Sequence, residues 1–360
     1  MRRTSRITPI AAIVAGLLAL SGCAGSNTAA APKDQDQISK LVFAHPSVSL
    51  SLLPMYVAED KGYFTDSRVN VEFIATGASN FYPALFSGDA DIVHSNITDP
   101  MTLRGKGQDV MAVGTFGLGY NTNLVFSKTL ATKDGITATS PLLDKIRALK
   151  GTTISVTGQG AGTDTQLRYL LGLAGLDYNK DLTVTYIKDG GAALAAFESG
   201  QIDGFIHNSP WYLIPVEKKE GILLANFSGG EVEAAAGYLQ AALVTTPAEI
   251  KNNATAIQKF LTALTRAMQY IRDSKNLADV TAIAQKYLAG TNEADTRLAI
   301  QALLRNGQIP DSTVITKAMY EKSIAFNNAL NKLSNLPPVN YEYSEIVDPT
   351  LANKALESVR

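Results

Sequence analysis

From Ser39 onward the chain alternates short apolar runs with longer stretches whose apolar positions recur every three or four residues. The runs at 41–44, 69–74, 91–94, 110–113, 153–156, 184–187 and 204–207 are short and bounded mostly by polar or glycine positions, a pattern that predicts strands. Between them, 54–61 closed by Gly62 and 163–174 closed by Gly175 read as helices, since glycine adopts the left-handed conformation that ends a helix. Alternating strands and helices predict an α/β fold built on parallel sheets. After Pro247 the pattern changes to long amphipathic stretches at 248–274, 277–288, 293–304 and 314–333, so the C-terminal third is predicted to be mainly helical.

An internal repeat divides the body further. ALFSGDADIVHSN (84–96) aligns with AFESGQIDGFIHN (196–208), pairing Ser87, Gly88, Asp91 and Asn96 with Ser199, Gly200, Asp203 and Asn208. Each copy reads as a helix, a Ser-Gly stop and a strand opened by Asp, with an Asn at the carboxyl end of the strand. Ligands of open parallel sheets gather outside those carboxyl ends. Two such lobes facing each other would line one cleft; the plainer alternative is two similar elements within one domain.

The chain begins with Arg2, Arg3 and Arg6, then the apolar run 7–20, then Leu20-Ser21-Gly22-Cys23. Fourteen residues are too few to span a bilayer in comfort, so residues 1–22 read as a cleaved signal peptide. L-S-G-C resembles the bacterial lipobox, which makes Cys23, the only cysteine of the 360 residues, the lipidation site and membrane anchor. Residues 23–38 lack apolar periodicity and read as a flexible tether. With 32 Lys+Arg against 33 Asp+Glu there is no basic footprint for nucleic acid.

The stretch LLPMYVAEDKGYFTDSRVNVEFIATGASNFYPALFSGDADI (52–92), with Pro54, Gly62, Phe64, Gly77, Gly88 and Asp91, resembles the periplasmic substrate-binding proteins of ABC importers, in the nitrate, sulfonate, taurine and thiamine-precursor (SsuA/TauA-like) family. GTTISVTGQGAGTDTQLRYLLGLAGLD (151–177) and GGAALAAFESGQIDGFIHNSPW (190–211) resemble its second lobe. The resemblance implies a bilobal α/β periplasmic-binding-protein type II fold with a hinge and a helical C-terminal region. Residues 39–120 and 245–360 would form lobe 1, and 121–244 lobe 2. It further implies a monomeric, exported, lipid-anchored receptor without catalysis or cofactor, which delivers a small organic anion to permease and ATPase subunits. Ser209 stands where the family often has an acid before Pro-Trp, which makes an amine-bearing solute such as taurine less secure.

Candidate ligand residues follow from the strand ends. The turn 157–164 (TGQGAGTD) leads into a helix, so Thr157, Gly160, Gly162 and Thr163 form a candidate anion site in which glycine-rich backbone and the helix dipole favour negative charge. Asp164 reads as a helix cap that would weaken anion binding if it faced inward. Ser47, Ser49, Asn80, Ser95 and Asn96 form the corresponding ledges of lobe 1, where either Asn could instead serve as a turn former. Tyr120 marks the first crossing between lobes and Tyr238 the return. Asn208 and the sole tryptophan, Trp211, close the set, the indole offering an apolar wall. His45, His94 and His207 lie near strand ends, but the repeat sets His94 opposite Ile206 and His207 opposite Ser95, on opposite strand faces, which argues against one metal site. Neither H-E-x-x-H nor G-x-S-x-G occurs. Three alternatives remain open: a secreted enzyme on the same frame, a sensing receptor, and a binder of a pyrimidine thiamine precursor.

Overall fold

The computed structural model describes residues 38–46, 48–77, 80–288, 292–333 and 336–360; the signal peptide, Cys23, most of the tether and Ser47 lie outside the described residues. Ten strands form two five-stranded sheets. The first contains β1 (Ser39–His45), β2 (Val69–Ala75), β3 (Ile92–Ser95), β4 (Met111–Gly117) and β10 (Ala241–Thr245), in the order β2-β1-β3-β10-β4. The second contains β5 (Thr122–Ser127), β6 (Thr153–Val156), β7 (Thr183–Tyr186), β8 (Gly204–Asn208) and β9 (Gly221–Ala225), in the order β7-β6-β8-β5-β9. Replacing β1, β2, β3, β10 and β4 by β6, β7, β8, β5 and β9 converts one order into the other, so the molecule is bilobal and the lobes share a topology.

The sheets are mixed, which corrects the expectation of parallel ones. β10 runs antiparallel to β3 and β4, and β5 runs antiparallel to β8 and β9. Each is the strand by which the chain enters a sheet after crossing from the other one, through residues 226–240 into β10 and 118–121 into β5. Register places Thr122 beside Asn208 and Ala242 beside Ser95, so both crossings meet the carboxyl ends of the central strands.

The repeat has one physical job in both lobes. Gly88 (φ 81°) and Gly200 (φ 71°) take the left-handed conformation just after their helices. Asp91 then accepts the Val42 N–H on Oδ2 (2.6 Å), while its carbonyl accepts the Thr245 hydroxyl (2.6 Å). Asp203 accepts the Thr153 N–H on Oδ2 (2.8 Å), and its carbonyl accepts the Ser127 N–H (2.8 Å). Each aspartate therefore pins its strand between β1 or β6, the equivalent strands of the two lobes, and the crossing strand. A charge-assisted bond of this kind contributes about 1.5–3 kcal/mol.

Helix Ala254–Arg272 buries one face, including Ile257, Phe260, Leu261, Leu264, Met268 and Ile271. Phe260 lies 5.8 Å from Phe43 of β1 and stacks on Phe64, centroid to centroid 5.7 Å. Both crossings are braced by C-terminal residues. Gln308 Nε2 donates to the Tyr120 carbonyl (2.7 Å), and Ser323 Oγ accepts the Leu239 N–H (3.1 Å). Tyr120 and Tyr238 stack at 5.1 Å with 3° between their planes, and Phe326 of helix Lys317–Leu333 meets both edge-on. No helix among the described residues is long and apolar enough to cross a membrane.

Candidate functional site

A cavity of about 370 Å³ lies where the strand ends and the crossings converge. Lobe 1 contributes Pro46, Ser49, Ser51 and His94, lobe 2 Thr157, Gly162, Thr163, His207 and Asn208, and the crossings Tyr120, Asn121, Thr122 and Gln240. A second cavity of about 460 Å³ shares Ser49 and Asn208 with the first and is otherwise walled by Val48, Leu50, Ser209, Pro210, Trp211, Tyr287 and Leu288. Among the described residues, no Lys, Arg, Asp or Glu lines either one. One compartment is thus hydroxyl, amide and imidazole; the other is mainly aromatic and aliphatic.

Of the expected ligand residues, Ser49, Tyr120, Thr157, Gly162, Thr163 and Asn208 meet at the first cavity and Trp211 at the second. Asn80, Ser95, Asn96 and Gly160 reach neither. Asn96 is occupied within its own loop: Oδ1 accepts the N–H groups of Thr98 (2.9 Å) and Asp99 (3.2 Å), and Nδ2 donates to Asp99 (3.1 Å). Ser95 donates to Asp99 Oδ2 (2.6 Å) and meets the Tyr82 hydroxyl (2.7 Å). Asn80 is exposed at the start of helix Phe81–Ser87. The Gly160 N–H donates to Asp164 (2.9 Å), so that amide is already spent.

Asp164 does not cap the helix as expected; Ala161 holds the cap position. Its carboxylate is buried behind the glycine turn, where it also accepts from Arg168 Nε (3.1 Å) and from the Tyr178 hydroxyl. This anchoring leaves Thr157 and Thr163 to hydrogen-bond each other, Oγ1 to Oγ1 at 2.7 Å, at the cavity wall. Ser49 and Ser51 form a similar hydroxyl pair at 2.7 Å on the opposite side.

The histidines depart from the expected arrangement. His94 and His207 both line the first cavity, because the two lobes face each other across it and strand-face parity within one lobe does not carry over. His207 Nε2 lies 3.2 Å from the Lys188 carbonyl, and Nδ1 meets both the N–H (3.0 Å) and the side-chain amide of Asn208. His94 packs edge-on against Phe116 at 4.8 Å, and its Nδ1 is buried without a hydrogen-bond partner. Burial, reinforced by nearby His45, pushes its pKa down to about 4, so the ring is neutral near pH 7. Burial and Tyr238 likewise raise the Tyr120 phenol well above its ordinary value. Gln240 Oε1 and Ser209 Oγ are also buried without partners, each at a cavity wall. Buried polar atoms are normally satisfied, so these three, two at the first cavity and one at the second, leave hydrogen-bonding capacity open at the cavity walls. No group of three or more metal-binding side chains occurs among the described residues.

Ser51, His94, Asn121, Thr122, His207 and Gln240 were not among the predicted ligand residues. Asn121 and Thr122 directly follow Tyr120, His207 precedes Asn208, and Gln240 lies two residues past Tyr238, so proximity to the predicted crossings and strand ends was the available signal.

Comparison with known proteins agrees with this architecture. YtlA of Bacillus subtilis (strain 168) is 22% identical over 330 residues, 90% of this chain and 92% of its own. The periplasmic aliphatic sulphonate binding protein SsuA from Escherichia coli superposes with a TM-score of 0.64 at 16% identity, covering 86% of this chain and 97% of its own. The desulfurization enzyme DSZB has a TM-score of 0.61 at 14% identity, covering 89% of this chain and 100% of its own. The family model described as NMT1/THI5 like matches residues 50–276, well over half of the sequence, and the chain belongs to that family.

Proposed function

We propose that this chain is the exported solute-binding component of an ABC-type importer, which captures a small organic anion between its lobes and presents it to a permease. The observation that carries this reading is the cavity walled from both sheets and both crossings, with buried polar atoms left unsatisfied around it. A sulfonate or carboxylate head would sit among Thr157, Thr163, Ser49 and Asn208, beside the N-terminus of helix Gly162–Ala174, whose dipole favours negative charge. The apolar body would lie in the second compartment. With no cationic side chain in the wall, hydrogen bonds and the helix end carry recognition. The likeness to SsuA, a sulphonate-binding protein, supports this solute class.

In the same reading, residues 39–120 with 245–360, and 121–244, are the lobes that close on the solute. The lipobox ending at Cys23 tethers a monomer to the outer face of the membrane. The solute leaves unchanged, since the protein works as a carrier. A second reading, turnover on the same frame, draws on the likeness to DSZB.

Thermal denaturation against a panel of alkyl and aryl sulfonates, taurine, nitrate, aromatic carboxylates and pyrimidines tests the proposal. A solute at about 100 times its Kd should add roughly 2.7 kcal/mol, several degrees in Tm, and be recovered intact. Chemical conversion of the stabilising solute would transfer the site to the enzyme reading.

A further inference from the structure

Trp211 is the only tryptophan of the chain, and its indole rests on the start of helix Gly190–Glu198. Gly190 is buried there, and a Cβ built on it would overlap three atoms of the indole five-membered ring; one on Gly191 would come within 3.7 Å of its far edge. Gly190 does not need its lack of side chain for backbone reasons. It lies in the first turn of a helix and outside the left-handed region, where alanine is the better helix former. The missing side chain is therefore explained by the ring that occupies its place.

Trp211 also lines the second cavity. There Trp211, with Val48, Leu50, Pro210, Tyr287 and Leu288, walls a space of about 460 Å³ that shares Ser49 and Asn208 with the polar compartment. Tyr287 is itself fixed by stacking on Tyr56, at 4.3 Å with 6° between the planes, so two anchored aromatic residues line the compartment.

We infer that Gly190 is a specificity-determining position: by seating the Trp211 indole against the helix start, it keeps open an apolar compartment that selects solutes with a flat aromatic body over compact anions such as nitrate, methanesulfonate or taurine. The inference rests on the capture reading above and deepens it by naming the solute class. The selectivity is physical. An aromatic ring gains burial and stacking against Trp211 and Tyr287, whereas a compact anion occupies the polar compartment alone and leaves the apolar one unfilled.

The test is titration calorimetry of the purified chain and its Gly190→Ala variant with benzenesulfonate and methanesulfonate, together with the fluorescence of the sole tryptophan. The wild type should bind benzenesulfonate at least about tenfold tighter than methanesulfonate, with a shift in Trp211 emission only for the aryl solute. The added methyl group of Gly190→Ala displaces the indole, one wall of the compartment, from its seat on the helix start. This should weaken benzenesulfonate at least about tenfold, change methanesulfonate by less than about twofold, and alter acrylamide quenching of the apo protein. In a Trp211→Leu background, Gly190→Ala should have no further effect on benzenesulfonate, because the glycine acts through the indole. Equal losses for both solutes in Gly190→Ala, or an undiminished effect in the Trp211→Leu background, would overturn the inference and leave capture intact. Binding of neither solute by a cooperatively folded wild type would overturn the inference together with the solute class on which it rests.

Discussion

The two lobes share a strand order and a repeated segment, yet the repeat ends differently in each. Asn96 and Asn208 are equivalent in the alignment. Asn96 is followed by Ile97-Thr98-Asp99, whose N–H and carboxylate groups absorb its side chain. Asn208 is followed by Ser209-Pro210, and proline has no N–H to offer, so Asn208 Oδ1 meets only Nδ1 of the neighbouring His207 and the residue stays at the junction of the two cavities. The same scaffold can therefore either close a ledge on itself or hold it out to a ligand, and the choice lies in the two or three residues after the strand. Upstream the copies agree, since Asp91 and Asp203 bind their neighbouring strands in the same way.

The largest expected difference between the lobes concerns acid. His94 belongs to lobe 1, and Ile206 holds its place in lobe 2. The folded protein keeps the imidazole at about 4 against an ordinary 6.5, so between those values the unfolded chain binds the proton and the folded one does not. Stability is then full above about pH 6.5 and falls as pH drops toward about 4, by at most about 3 kcal/mol. Urea denaturation across this window should show the decline, and His94→Gln should flatten it; an unchanged slope in the variant would assign the acid sensitivity elsewhere.

The aspartate pair tests the shared part of the lobes. Asp91→Ala and Asp203→Ala should each cost about 2 kcal/mol, measured as a lowered urea midpoint, because each leaves a strand N–H without its acceptor. Costs that differ by more than a factor of about two would show that the repeated geometry hides unequal roles.

Smaller effects separate the two asparagines. Asn208→Ala should weaken solute binding about tenfold while preserving the melting transition, since the loss falls on the ligand. Asn96→Ala should do the reverse, losing about 1 kcal/mol of stability through the lost hydrogen bonds to the Thr98 and Asp99 N–H groups, with affinity unchanged. The smallest effect concerns salt. With no charged side chain in either cavity wall, affinity for an anion should shift by less than about twofold between ~20 and ~500 mM salt, and a steep dependence would point to a cation elsewhere.

The sequence made these elements legible unevenly, for physical reasons. β6 falls at 153–156 as predicted, and β1, β2, β7 and β8 lie within a few residues of their predicted positions, because each is a short apolar run between polar or glycine boundaries. β5, β9 and β10 carry no such signal. All of β10, the centre of β5 and much of β9 are buried, and β10 is alanine-rich, so the alternation that marks a half-exposed strand is lost. Those strands also make the sheets mixed. At the site, Thr157, Thr163 and Asn208 could be read because glycine turns and strand ends carry local signals. His94 and Gln240 could not, because they reach the cavity only once the two lobes face each other.

The most direct test of the account is a structure of the purified chain crystallised with an aryl sulfonate that stabilises it. The account predicts one intact solute spanning the two compartments, its head within hydrogen-bonding distance of Thr157, Thr163 or Asn208 and its ring against Trp211. A solute bound outside these walls, or found chemically altered within them, would contradict it.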